Sequence, residues 1–149
     1  MMNWLKTNTA AARAKMSEEM TKYRNRDFME AVVAGCALVS AADGTVSGDE
    51  KQKMIGYMQA SDELKVFKIE DVIAAFNSIV GKFDFDATIG KGEALRKIAK
   101  IKGKSGADRL LVRVCCAIGA ADGDFDAKER VAVVSICTEL GLSPAEFDL

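Results

Sequence analysis

The chain predicts an all-α fold: a seven-helix bundle built from two pseudo-repeated helical hairpins plus linking helices. Three observations carry that prediction. Ala, Lys, Glu, Met, Ile and Leu are abundant, while there are twelve Gly and one Pro in 149 residues. These are good helix formers, with few of the residues that turns require. Apolar residues recur at helical spacing through most of the chain. Finally, the stretch AADGTVSGDE, Ala41 to Glu50, returns as AADGDFDAKE, Ala120 to Glu129. Hydrophobic residues make up 49% of the chain, enough for one sizeable core. Residues 1–149 therefore read as a single domain, with the helix within residues 1–24 peripheral.

The elements follow in order. An Ala-rich helix is expected from Thr9 to Tyr23, with its charges mostly on one side. The segment Arg26 to Ala42 is apolar nearly all round, with Phe28, Val32, Gly35 and Val39 on one face and Val33, Cys36 and Leu38 on others. Such a helix belongs at the centre. Gly48 to Ala60 keeps only the stripe Met54, Ile55 and Met58. Ile69 to Phe83 places Ile69, Val72, Ile73, Phe76, Val80 and Phe83 at helical spacing. Lys91 to Ile101 sets Leu95, Ile98 and Ile101 between lysines. Gly106 to Ala121 is a second central helix, and Ala127 to Leu140 carries Val133, Val134, Ile136, Cys137 and Leu140. A last turn is expected at Ser143-Pro144-Ala145-Glu146, with Ser as N-cap, Pro at N1 and Glu at N3.

A 79-residue offset equates the segments on either side of the two recurring stretches. It places Asp43 on Asp122, Gly44 on Gly123, Val46 on Phe125, Ser47 on Asp126 and Glu50 on Glu129. Met54, Ile55 and Met58 fall on Val133, Val134 and Cys137, all apolar. Two αα-hairpins built alike would bury each other's apolar faces, bridged by the helices between them.

Asp-Gly-x5-Glu is also the second half of an EF-hand loop. The earlier loop positions are Val39 and Ala41, then Ile118 and Ala120, so neither stretch is a 12-residue chelating loop. Two readings stay open. In one, Gly44 and Gly123 end helices, Ser47 and Asp126 cap the next ones, and Glu50 and Glu129 close capping boxes. In the other, Asp43, Glu50, Asp122, Glu129 and Asp126 gather into one oxygen-rich cation site, with Asp49 and Asp124 at its rim. Asp43 and Asp122 favour the second, because an acid at a helix C-terminus opposes the macrodipole. All-oxygen ligands select Ca²⁺, Mg²⁺ or Mn²⁺ over Zn²⁺.

Composition excludes several chemistries. The chain has no histidine, so Ser-His-Asp and Cys-His nucleophile pairs and His-liganded zinc are ruled out. Cys36, Cys115, Cys116 and Cys137 lie in apolar surroundings without Cys-x-x-Cys spacing. They read as buried, reduced thiols of a cytosolic protein, with a vicinal thiol trap at Cys115-Cys116 as the functional alternative. No apolar run reaches the roughly 18 residues of a membrane span, and the start of the chain lacks a signal-peptide pattern. A soluble protein is expected, with any membrane contact peripheral. The net charge of −1 gives no overall attraction to nucleic acid, which is an unlikely partner.

One basic segment stands out, from Lys91 to Arg113. Within it Arg96, Lys97, Lys100, Lys102 and Lys104 form a candidate docking surface for an acidic protein or an anionic lipid surface; the plain alternative is a solvated helix face. Asp84 and Asp86 form an Asp-x-Asp pair, a pattern that binds Mg²⁺ or Ca²⁺ but is common in loops. Ile89-Gly90-Lys91-Gly92 reads as a flexible helix start.

The duplicated Ala-Ala-Asp-Gly corners, in an all-helical and histidine-free chain of this length, resemble the TerB family of tellurite resistance proteins. The matching residues are Asp43, Gly44, Val46 and Glu50, then Asp122, Gly123, Phe125 and Glu129. The resemblance covers nearly the whole chain after the N-terminal helix. It implies a seven-helix bundle with an acidic, metal-binding cluster. It also implies a cytoplasmic member of a tellurite and stress resistance system, working at the inner membrane face with an integral-membrane partner. TerB-like domains are also found in membrane-anchored J-proteins, but this chain has no His-Pro-Asp tripeptide, so co-chaperone activity is not expected. The leading expectation is a non-enzymatic, metal-responsive adaptor. The alternatives are a thiol-based protein that reduces or handles the tellurium oxyanion, and an inert scaffold whose acidic residues only cap helices.

Overall fold

The computed structural model describes residues 11, 26–42, 52, 55–56, 59, 67–104, 106–119 and 125–149. Those residues contain five α-helices, one 3₁₀ turn and no strand. The helices are α1 (Arg26–Ser40), α2 (Ile69–Phe85), α3 (Ala87–Ala99), α4 (Ala107–Gly119) and α5 (Ala127–Leu140), followed by the turn Pro144–Phe147. The all-α expectation holds for them. The helix expected at Thr9–Tyr23 lies outside the described residues except Ala11. Of the segment Gly48–Ala60, Gln52, Ile55, Gly56 and Gln59 are described and helical, and Ile55 packs on the core.

Helix α1 is the hub, packing against α2, α3, α4 and α5. Its sequence dictates this. Every residue from Phe28 to Val39 except Glu30 is buried, because a helix apolar on all sides must be surrounded. Helix α4 is also deeply buried, with Leu110, Leu111, Val114, Cys115 and Cys116 inside. Under the 79-residue offset Ser40, the last residue of α1, falls on Gly119 of α4. Phe28 and Ala107, Val32 and Leu111, and Cys36 and Cys115 are equivalent and buried pairs. The segment expected to pair with α1 in a first hairpin lies largely outside the described residues.

Helix α2 buries Val72, Phe76, Ile79, Val80 and Phe83 on one stripe. Glu70 and Asp71 in its first turn and Lys82 in its last both complement the macrodipole. Helix α3 begins earlier than the expected Lys91. A single residue, Asp86, joins it to α2, and its Oδ1 accepts from Thr88 N at 2.9 Å and Ile89 N at 3.0 Å. Asp86 is thus an N-cap, which satisfies amides otherwise left open. Gly90 is not part of a flexible start. It is buried, and an added Cβ would lie 2.6 Å from the Cα of Phe83, so only glycine lets α3 fold back this sharply on α2.

Helix α5 spans the predicted residues. It ends at Gly141, which has φ 71° and places Leu142 N 2.9 Å from Cys137 O, a Schellman closure. The final turn departs from expectation. It is 3₁₀, and the Ser143 side chain makes no cap bond. Glu146 does not close a capping box; its carboxylate accepts from Arg109 Nε at 3.1 Å, tying the turn to α4. Phe147 fills the core beside it.

Candidate functional site

The acidic corner between α4 and α5 is described on its C-terminal side. Phe125 packs against the core, as expected of a corner plug. Asp126 then caps α5: its Oδ1 accepts from Glu129 N at 2.8 Å, and Glu129 Oε1 accepts from Asp126 N at 3.1 Å. The capping box read from Asp-x-x-Glu is therefore formed. Asp43, Glu50 and Asp122 lie outside the described residues, as do Ser47, Asp49 and Asp124. Among the described residues no group of three or more Asp, Glu, Cys or His comes together to hold a metal.

The donor set remains compatible with a hard cation. A carboxylate carries two oxygens and about four lone-pair sites. The capping bond of Asp126 through Oδ1 does not use up that capacity. Asp126 and Glu129 would therefore fit a Ca²⁺, Mg²⁺ or Mn²⁺ shell while still capping α5.

The five basic candidates separate into two kinds. Arg96 grips Glu93, with Nη2–Oε2 at 2.8 Å and Nε–Oε1 at 3.3 Å. That hydrogen bond holds the Glu93 carboxyl below its ordinary range and raises the Arg96 guanidinium. Lys97 is only 21% exposed and faces Glu30 of α1 at 3.8 Å, while Arg26 approaches the same carboxylate at 3.6 Å. Lys97 thus fastens α3 to α1. Lys100, Lys102 and Lys104 are exposed along the turn after α3, around Gly103 with φ 75° and with Ile101 buried as its anchor. These three face solvent as a docking residue must.

All four cysteines are free and buried, as the sequence predicted. Burial, then the neighbouring thiols of Cys36, Cys116 and Cys137, pushes the Cys115 thiol well above its ordinary range. Burial pushes Cys116 up to about 12, with Cys137 adding to the effect. Cys137 is raised to about 11, again chiefly by burial. A reducing thiol must be accessible and ionised at neutral pH. Cys115 and Cys116 are neither.

Sequence reasoning missed two features. The Lys97–Glu30 contact joins residues distant in the chain, and no local pattern marks it. The other is a groove between α3 and α5. Its signal was Val131, which falls off the apolar stripe of α5 and is 64% exposed.

A helical domain with an acidic, box-capped corner and no accessible nucleophilic thiol among its described residues is the class these observations define. The family model for tellurite resistance protein TerB matches residues 29–149, and the chain belongs to that family. Tellurium resistance protein TerB from an Alcaligenes species is 43% identical over 104 residues, covering 70% of this chain and 85% of that relative. No solved structure matches.

Among the described residues, no helix is long and apolar enough to cross a membrane.

Proposed function

We propose that this chain is a non-enzymatic, metal-responsive adaptor in tellurite resistance. Asp43, Glu50, Asp122, Glu129 and Asp126 would share one divalent cation, and the exposed lysines after α3 would dock on an integral-membrane partner or its anionic surroundings at the cytoplasmic face. Family membership supports the setting. The observation that carries the cation reading is the closed corner, in which Asp126 and Glu129 are fixed by reciprocal bonds of 2.8 and 3.1 Å. Carboxylates already ordered by capping lose little further freedom on binding a cation. The equivalence of α1 and α4 supports a second, similarly placed acidic corner.

The inert scaffold is the second reading, and the same capping box favours it, since capping explains both residues without a cation. Calorimetric titration with Ca²⁺, Mg²⁺, Mn²⁺ and Zn²⁺ separates the two. The adaptor reading expects saturable heat with an oxygen-preferring cation and a rise in Tm. Stabilisation should reach about 2.7 kcal/mol at 100-fold above Kd. Asp126→Ala should lose about 1 kcal/mol of capping on either reading, but only the adaptor reading has it also lose the cation response. No heat and a flat Tm across the series would leave the scaffold.

A further inference from the structure

We propose that the groove between α3 and α5 is a docking site for an acidic amphipathic helix of a partner protein. Two concavities of about 420 and 450 Å³ share Lys91, Val131 and Ser135 in their walls. They therefore run together along α5. From Lys128 to Glu139 that helix advances roughly 16 Å at 1.5 Å per residue, room for about three turns of a partner helix.

The outward side of α5 is unusual. Between Arg130 and Glu139 there is no charged residue. Val131 is 64% exposed there, and Val134, Ser135 and Thr138 line the groove after it. A surface helix ordinarily places charge on that side. Leu95 of α3 faces the same strip. An amphipathic helix presents apolar anchors at i, i+3, i+4 and i+7, the spacing such a strip accepts.

Charge fixes the occupant. Lys128 and Arg130 lie toward the start of α5, Lys91 lines both concavities where they meet, and Glu139 lies toward the end of α5. A partner with carboxylates beside the first three, and none facing Glu139, is complementary in both composition and direction. A lipid surface fits less well, because the apolar strip lies in a concavity between two helices, where a bilayer cannot follow it. The site is separate from Lys100, Lys102 and Lys104, and it gives the adaptor reading a second surface that needs no cation.

The test uses the full chain and a fluorescein-labelled 14-residue peptide with Leu at i, i+3, i+7 and i+10, Glu at the remaining positions of one half and Gln at the remaining positions of the other, so that no carboxylate need face Glu139. A control peptide carries Lys in place of Glu. Anisotropy is followed in EDTA and again in Ca²⁺. Saturable binding of the Glu peptide is expected in both buffers, at least tenfold tighter than the Lys peptide. Val131→Glu and, on the opposite wall, Lys91→Glu should each weaken it at least tenfold with unchanged helical circular dichroism. Failure to bind in either buffer, or binding indifferent to both variants, overturns the proposal. So does self-association of the chain, or pelleting with phosphatidylserine vesicles, that Val131→Glu abolishes while the peptide fails to compete. Peptide binding with a silent cation titration would overturn the cation site and leave the groove standing. A cation response with no peptide binding would do the reverse.

Discussion

The seam between α1 and α4 and the groove between α3 and α5 are both helix–helix junctions, but they are built oppositely. At the seam an added Cβ on Gly35 would lie 2.5 Å from Cys115 Sγ and 3.7 Å from Leu111 and Ile136 side chains. Gly35 is thus the small residue through which α1 meets α4. At the groove, Lys91 and Leu95 stand across from Val131 and Val134 and leave about 450 Å³ open. Small side chains let two backbones close until no methyl group fits. Long and branched ones, with charged ends that stay in water, hold helices apart at the surface. The seam contributes to stability and has no room for a ligand. The groove contributes little to stability and has room for one.

Gly35→Ala breaks the comparison most strongly. The new methyl meets a sulfur held in a fully packed core, not the free end of a flexible chain. Overpacking of this kind costs roughly 1–3 kcal/mol, and the 2.5 Å contact places it at about 3 kcal/mol. Cys115→Ala removes the obstructing sulfur. The double variant should therefore recover much of the loss, so the two changes should be non-additive in urea unfolding. Simple additivity would show that α1 and α4 are not in contact through this pair.

The buried thiol of Cys116 on α4, beside Cys137 of α5, has a pH signature that the groove lacks. The ordinary value for these thiols is 9.0, and Cys116 is held up to about 12 in the folded chain. A raised folded pKa means that the native state keeps its proton where the unfolded state has lost it. Its contribution is complete below about pH 9 and disappears as pH rises through 12. Over that window Cys116 should steepen the loss of stability by up to about 1.4 kcal/mol per pH unit. Cys116→Ala lowers stability at neutral pH by leaving a cavity, but its unfolding free energy should fall less steeply from pH 9 upward. Parallel slopes for the two proteins would mean that water already reaches the thiol.

Most of this architecture was legible in the sequence, because it depends on local chemistry. The apolar run Phe28 to Val39 marked a hub, and Asp126 with Glu129 marked a cap, in each case from spacing alone. Asp86 shows where such reading fails. Its residue type fits a metal pair, a turn and an N-cap equally, and only the packing of Gly90 on Phe83 decides for the cap. Lys97 shows the other failure. It looks like its neighbours Arg96 and Lys100, yet its contact with Glu30 of α1 is a fact of tertiary packing. Within the candidate cation site, Asp126 and Glu129 occupy the capping positions expected of them. A meeting of the two corners would depend on how distant helices pack, which spacing within either stretch does not specify.

Val131→Ala is the smallest expected effect and the sharpest form of the contrast. The substitution removes two methyl groups from the chain, whereas Gly35→Ala adds one. Counting apolar atoms alone would make the first harmful and the second helpful. Packing reverses both signs. Val131 is 64% exposed, so its methyl groups are largely in water already and little transfer energy is lost. Ala is also the better helix former, by several tenths of a kcal/mol, because Val gives up side-chain freedom against the preceding turn. Val131→Ala should thus be neutral or stabilise by up to about 0.5 kcal/mol in urea unfolding, while weakening the acidic peptide that the groove is expected to hold. A loss above about 1 kcal/mol would show that Val131 is packed against something within this chain, and the groove would then be part of the core.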